Sequence, residues 1–200
     1  MRTDRLHIDF KGNRRYLHGT DLFDALVALN GGSSGGRLAD VRMSFYRPIT
    51  HCVEAVRMQH GSVAELRPAA LFESRVDGEP AVWALRERPG EAVSGRRPYD
   101  EEGVAAGAVV TGRSISQVQP TPYTFIERVV ALHKRLLNQL HEAGGAKWWF
   151  GRIELKKVPP ASATLRLEVE TELGGRLIKS SIEADGQRVG SIYFSEGKAG

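Results

Sequence analysis

The chain is poor in the features that would commit it to several specialised classes. Among its 200 residues there is one cysteine, Cys52, so no internal bridge can form and a disulfide-stapled secreted scaffold is excluded. No apolar run approaches the ~20 residues a helix needs to cross a bilayer. The start, Met1-Arg2-Thr3-Asp4-Arg5, is polar with no apolar stretch behind it, and the expectation is a soluble, cytoplasmic protein. The six histidines form no H-E-x-x-H pair and no Cys-His cluster, so no metal and no cofactor are expected. Ser33-Ser34 lacks the strand-to-helix elbow of a nucleophilic serine. A basic stripe is missing too. The net charge of +4 comes from scattered arginines, which speaks against nucleic acid. It suits an acidic protein surface or a phosphorylated ligand, because the guanidinium fork pairs with carboxylate and phosphate.

What the chain has is an ordinary globular balance, 41% hydrophobic and 26% charged, arranged twice. Arg42-Met43-Ser44-Phe45-Tyr46-Arg47-Pro48 runs into Asp77-Gly78-Glu79-Pro80-Ala81-Val82-Trp83, and Arg152-Ile153-Glu154-Leu155-Lys156-Lys157-Val158-Pro159 runs into Asp185-Gly186-Gln187-Arg188-Val189-Gly190-Ser191. A period of roughly a hundred residues is too long for a solenoid and predicts two copies of one small domain. The expected boundaries are residues 1–88 and 108–200. Residues 89–107, rich in Gly, Pro, Arg and acids without apolar periodicity, form the linker. The two sheets are expected to join edge to edge.

Within the first half, Leu6 to Phe10 alternates as a strand. Leu22, Phe23, Leu26, Val27 and Leu29 then take helical spacing behind Thr20 as N-cap. The run Asn30 to Gly36 could pass for a phosphate-binding loop, but such loops follow a strand and this one follows a helix, so it reads as a tether. Strands are predicted over 39–46, 52–58, 69–76 and 81–86, the last two joined by Asp77-Gly78 in a turn that accepts positive φ. The second half reads as a strand over 108–118, a helix over 124–142 with a broad apolar face from Phe125 to Leu140, and four strands beginning near Lys147. One helix against an antiparallel sheet, twice over, is α+β.

These patterns resemble the hot-dog fold of β-hydroxyacyl thioester dehydratases and acyl-thioester hydrolases, and two units in one chain resemble the double hot-dog arrangement, a long central helix wrapped by an antiparallel sheet in each unit. Asp9-Phe10-Lys11-Gly12-Asn13-Arg14-Arg15-Tyr16-Leu17-His18-Gly19 is similar to the family's catalytic loop H-x-x-x-G-x-x-x-x-P-G. Asp9 stands where the family has His, and His18 where it has Pro. The family's second group, a helix carboxylate five positions after the opening Gly, falls on Asp24 in the first half. Glu127 looks similar in the second. The resemblance pairs the loop of one unit with the helix of the other, and so Asp9 or His18 with Glu127.

Dehydration needs a base for the proton α to a thioester carbonyl and an acid for the departing β-hydroxyl, and a His with a carboxylate can supply both. A lone helix carboxylate could instead activate water for hydrolysis. Each residue also has a structural role to weigh. Asp24 could bond a backbone amide. Glu127 could serve the helix dipole or pair with Arg128. His18 could act as a cap. His7 shares a strand face with Asp9, and His133 and His141 lie on the long helix without carboxylate partners. Trp148 and Trp149 read as core or as the lining of an acyl pocket. Arg14, Arg15 and Arg47 are the candidates for phosphate on a pantetheine arm or for an acidic carrier surface. The expected activity is a dehydratase-like step on β-hydroxyacyl thioesters of acyl carrier protein or coenzyme A, in fatty acid or polyketide assembly. Thioester hydrolysis and a non-catalytic acyl-binding or partner subunit are the alternatives, with homodimer and heterodimer both open.

Overall fold

The structure, a computed structural model, describes residues 2–31, 38–58, 66–141 and 147–197. The chain divides into two compact units, Met1–Tyr99 and Asp100–Gly200. The first contains β1 (Thr3–Leu6), β2 (Phe10–Lys11), α1 (Gly19–Leu29), β3 (Leu38–Phe45), β4 (His51–Arg57), β5 (Ala70–Val76), β6 (Glu79–Ala92) and β7 (Arg96–Arg97). The second contains α2 (Glu101–Val104), β8 (Val109–Thr111), β9 (Ser114–Gln117), α3 (Phe125–Leu140), β10 (Lys147–Lys157), β11 (Leu165–Leu173), β12 (Leu177–Ala184) and β13 (Gln187–Gly197). Within each unit helix and antiparallel sheet are segregated, which is α+β. Residues 89–107, expected as a linker, hold the end of β6, β7 and α2. Backbone pairing there comes from distant strands, which local periodicity does not report.

In the first unit the strand order is β1-β4-β6-β5-β3, every pair antiparallel. Leu22, Phe23 and Leu26 recur on one face of α1 and are buried, and the Phe23 ring meets Phe72 of β5 edge-on at 6.0 Å. Asn30 closes the helix. Its Nδ2 donates to the Leu26 carbonyl at 2.7 Å, and its Oδ1 accepts from Trp83 Nε1 at 3.1 Å, tying the helix end to β6. Thr20, expected as N-cap, lies inside the first turn, and His18 takes the cap position with extended backbone and no side-chain cap bond. The Thr20 hydroxyl is turned instead toward two side chains. The expected tether falls largely on residues 32–37, outside the described residues.

In the second unit the order is β10-β13-β12-β11-β9-β8. Phe125, Ile126, Val129, Leu132, Leu136 and Leu137 of α3 are all buried. Each contributes about 1.5–3 kcal/mol relative to exposure, so this stripe anchors the helix. The strand expected over 108–118 is instead a hairpin, folded back at Gly112, whose φ of 56° lies in the left-handed region that glycine accepts. The strand expected over Leu6 to Phe10 is likewise two pieces: β1 pairs with β4, and β2 pairs in parallel with β7.

Both Asp-Gly tips form as expected. Asp77 and Gly78 have φ of 51° and 88°, Asp185 and Gly186 have 51° and 74°. Positive φ at both central residues is the turn whose twist matches a two-residue hairpin.

Candidate functional site

The pairing of β2 with β7 builds a buried polar cluster in the first unit. Phe10 lies opposite Arg96 and Lys11 opposite Arg97, and the Gly12 amide donates to the Arg97 carbonyl at 2.9 Å. Arg97 and Tyr99 are thereby carried to the head of α1. Lys11 is 1% exposed, an unusual place for an ammonium unless it is paired. Its Nζ lies 2.8 Å from Asp21 Oδ1, donates to Thr20 Oγ1 at 3.1 Å, and stands 4.7 Å from the centre of the Tyr99 ring. Arg97 donates to the same Asp21 oxygen, while Asp21 Oδ2 is buried with no hydrogen-bond partner among the described residues. His18 is 7% exposed. Its Nδ1 is 2.7 Å from Thr20 Oγ1, and its ring packs against Tyr99 at 5.2 Å.

The other candidates of the first unit are placed differently. Asp9 is exposed just before β2, with its carboxylate against Gly95, where an added Cβ would push it aside. His7 is exposed after β1. Asp24 is half-buried on α1, one turn beyond Asp21. Arg14 lays its guanidinium over Tyr99 at 5.1 Å, Arg15 is exposed, and Arg47 donates to Glu87. Burial alone would push the Glu87 carboxyl up. The bonds it accepts from Arg47 and from the Thr50 and His51 amides outweigh that and hold its pKa down at about 2. Arg47 is thus part of a bond set that closes the turn between β3 and β4.

In the second unit Glu127 sits at the third position of α3 in a reciprocal capping box: the Thr124 amide donates to Glu127 Oε2 at 3.0 Å, and the Glu127 amide donates to Thr124 Oγ1 at 3.3 Å. Arg128, next to it, is fully buried. It does not pair with Glu127. Its Nε donates to Gln117 Oε1 at 2.8 Å and its Nη1 to the Ala163 carbonyl at 2.9 Å, and burial without a carboxylate pushes its pKa down. His133 faces the sheet, with Nε2 2.7 Å from Ser180 Oγ and its ring edge-on to Phe194 at 4.6 Å. Complete burial drops its pKa to about 3, so it is neutral. His141 caps the end of α3 and packs against Trp148 at 5.1 Å. Trp148 is buried, while Trp149 is partly exposed under Lys147.

Sequence reading singled out His18 and Arg14 but missed the residues that surround them: Lys11, Asp21, Arg97 and Tyr99. Asp21 offered a signal, an acid in the first turn of a helix beginning beside a candidate His. Arg97 and Tyr99 offered none, because they lie some eighty residues away and arrive through a two-residue parallel pairing. Among the described residues no group of three or more His, Cys, Asp or Glu is placed to hold a metal ion. No helix among them is long and apolar enough to cross a membrane.

No family model matches the chain, and no curated protein matches it. Solved structures do. GphF Dehydratase 1 is 11% identical with a TM-score of 0.54, over 98% of this chain and 93% of that one. A candidate thioesterase II from Thermobifida fusca YX is 10% identical with a TM-score of 0.53, over 98% and 92%. The dehydratase domain of RzxB from Pseudomonas fluorescens is 12% identical with a TM-score of 0.50, over 97% and 91%. At such identities the likeness is one of fold. The fold of this chain is the α+β hot-dog fold that dehydratase domains and thioesterases share.

Proposed function

We propose that the chain is an acyl-thioester enzyme that carries out a dehydratase-like step on β-hydroxyacyl thioesters. The observation that carries this reading is the buried His18 at the head of α1, tied to Thr20 and packed on Tyr99, in a fold that dehydratase domains use. An imidazole can exchange a proton with substrate at ordinary pH. Dehydration needs a second group of opposite protonation, and a helix carboxylate, Glu127 or Asp24, is assigned that role. Two hot-dog units acting together as a double hot dog, with acyl carrier protein or coenzyme A as the carrier, complete the proposal. Of the three arginine candidates Arg15 is the one assigned to the carrier's phosphate or acidic surface, since Arg14 and Arg47 already engage Tyr99 and Glu87.

A second reading is thioester hydrolysis, in which a helix carboxylate, Glu127 or the half-buried Asp24, activates water and needs no matched acid. Incubation of the purified chain with β-hydroxyacyl thioesters of carrier protein and of coenzyme A, followed by mass analysis, separates the readings. Loss of water, abolished by about 100-fold or more in His18→Gln, supports the dehydratase. Release of free acid supports the hydrolase, and no turnover at any chain length leaves a non-catalytic partner subunit.

A further inference from the structure

Building on the functional reading of His18, we propose that Lys11 and Thr20 fix its neutral imidazole in the tautomer protonated at Nε2, so that His18 works as a proton donor and the base is a carboxylate. Lysine's ammonium carries three N–H donors and no lone pair, so in the 3.1 Å contact Lys11 donates to Thr20 Oγ1. That fills one of the two lone pairs of the hydroxyl. The other side-chain partner of Thr20 among the described residues is His18 Nδ1, at 2.7 Å.

Two arrangements are conceivable at that second contact. If Nδ1–H donated, both lone pairs of Thr20 would be taken and its own hydrogen, on a residue that is 0% exposed, would have no acceptor, since Lys11 cannot accept. An orphaned buried hydroxyl biases the population against that form by about 5- to 150-fold. If Thr20 instead donates to Nδ1, its hydrogen and its lone pair toward Lys11 are both used. The imidazole proton then resides on Nε2. The ammonium on the far side of Thr20 polarises its O–H toward Nδ1 and strengthens the bond. Asp21, 2.8 Å from Lys11 Nζ, and the Tyr99 ring beneath both Lys11 and His18 keep the relay in register. Lys11 and Thr20 are therefore positioning residues, and their product is an N–H on the reactive nitrogen.

The consequence for the reaction is an assignment of roles. The carboxylate takes the proton α to the thioester carbonyl, and the C–H electron pair becomes the carbon–carbon double bond. The β-carbon–oxygen bond breaks as Nε2–H delivers its proton, while Thr20 passes its hydroxyl proton to Nδ1 and takes one from the Lys11 ammonium, so the hydroxyl leaves as water and the ring stays neutral. The carboxylic acid then returns its proton to Nε2, the Nδ1 proton runs back through Thr20 to Lys11, and the cycle closes without a co-reactant.

The test is nitrogen-15 NMR of the full chain at about pH 8.5, where an imidazole is neutral, with the His18 signals assigned by their loss in His18→Gln. The expected pattern is a pyridine-type Nδ1 and a pyrrole-type Nε2; the reverse pattern overturns the proposal, whatever becomes of any variant. In Thr20→Val the two resonances should move toward each other as the tautomers mix, and Thr20→Ser should restore the wild-type positions. Unchanged resonances in Thr20→Val overturn the relay. The spectrum does not depend on turnover, so the two ideas fail separately: the expected tautomer in a chain that turns over no thioester supports the relay and removes the functional reading, while dehydration by a chain protonated at Nδ1 removes the relay alone.

Discussion

Replacing His133 by Gln should make the protein less stable near neutral pH and more stable in mild acid, so that the two stability curves cross. The native imidazole is fully buried between Ser180 and Phe194, and its pKa falls from 6.5 to about 3. In the unfolded chain the ring regains its ordinary pKa and binds a proton first as pH falls. Folding stability from this group is therefore complete above pH 6.5, is lost progressively below it, and reaches its full loss near pH 3. At about 1.4 kcal/mol per pH unit, the loss is about 2 kcal/mol at pH 5 and about 5 kcal/mol in full. That is a large share of a typical domain stability of about 5–15 kcal/mol. Gln keeps a hydrogen bond to Ser180 and never charges, but it forfeits the edge-on ring contact with Phe194, about 0.5–1.5 kcal/mol. Urea unfolding followed by tryptophan fluorescence from about pH 7.5 to about pH 4.5 gives both curves. Wild type should lead at the neutral end, and the order should invert between about pH 5.5 and about pH 6.5. Parallel curves would show that His133 does not remain neutral in the folded state, and the reasoning would fail.

Arg128→Met should cost about 2–4 kcal/mol, because it strands Gln117 Oε1 and the Ala163 carbonyl in the core. Gln117→Leu also strands the Val104 and Ala106 carbonyls, so in a double-mutant cycle the two losses should combine to less than their sum, and strict additivity would deny the coupling. Glu87→Gln should cost about 1–2 kcal/mol at pH 7, with solvent screening of the half-exposed Arg47 already allowed for. Since the Glu87 pKa is held at about 2 against 4.5 in the open chain, that difference should persist above pH 4.5 and shrink as pH falls toward 2, as read from urea midpoints of both proteins. Gly190→Ala should destabilise by about 1–3 kcal/mol, since its Cβ would collide with the Glu154 carbonyl on the neighbouring strand; an unchanged thermal midpoint would show that β10 yields freely. If an acidic carrier docks through Arg15, raising salt should weaken its binding, and Arg15→Ala should flatten that dependence in a titration series.

What the sequence determined by itself is what local chemistry controls. Helical spacing of Phe125, Val129, Leu132 and Leu136 placed α3, and each Asp-Gly pair placed a hairpin, because only a few residue types tolerate positive φ at both turn positions. Their recurrence at similar places in each half pointed to α+β units and to the hot-dog resemblance. The same local signals picked out His18, which precedes a helix. Tertiary structure decided the rest. It broke the expected first strand in two, because β1 and β2 find different partners, and it drew residues 89–92 and 96–97 out of the expected linker into β6 and β7. It moved the N-cap from Thr20 to His18 by turning the threonine hydroxyl onto side chains, and it put Glu127 into a capping box. Above all it assembled Lys11, Asp21, Arg97 and Tyr99 around His18. Those contacts span nearly the whole first unit and are fixed by backbone pairing between short strands, a relation that no periodicity along the chain encodes.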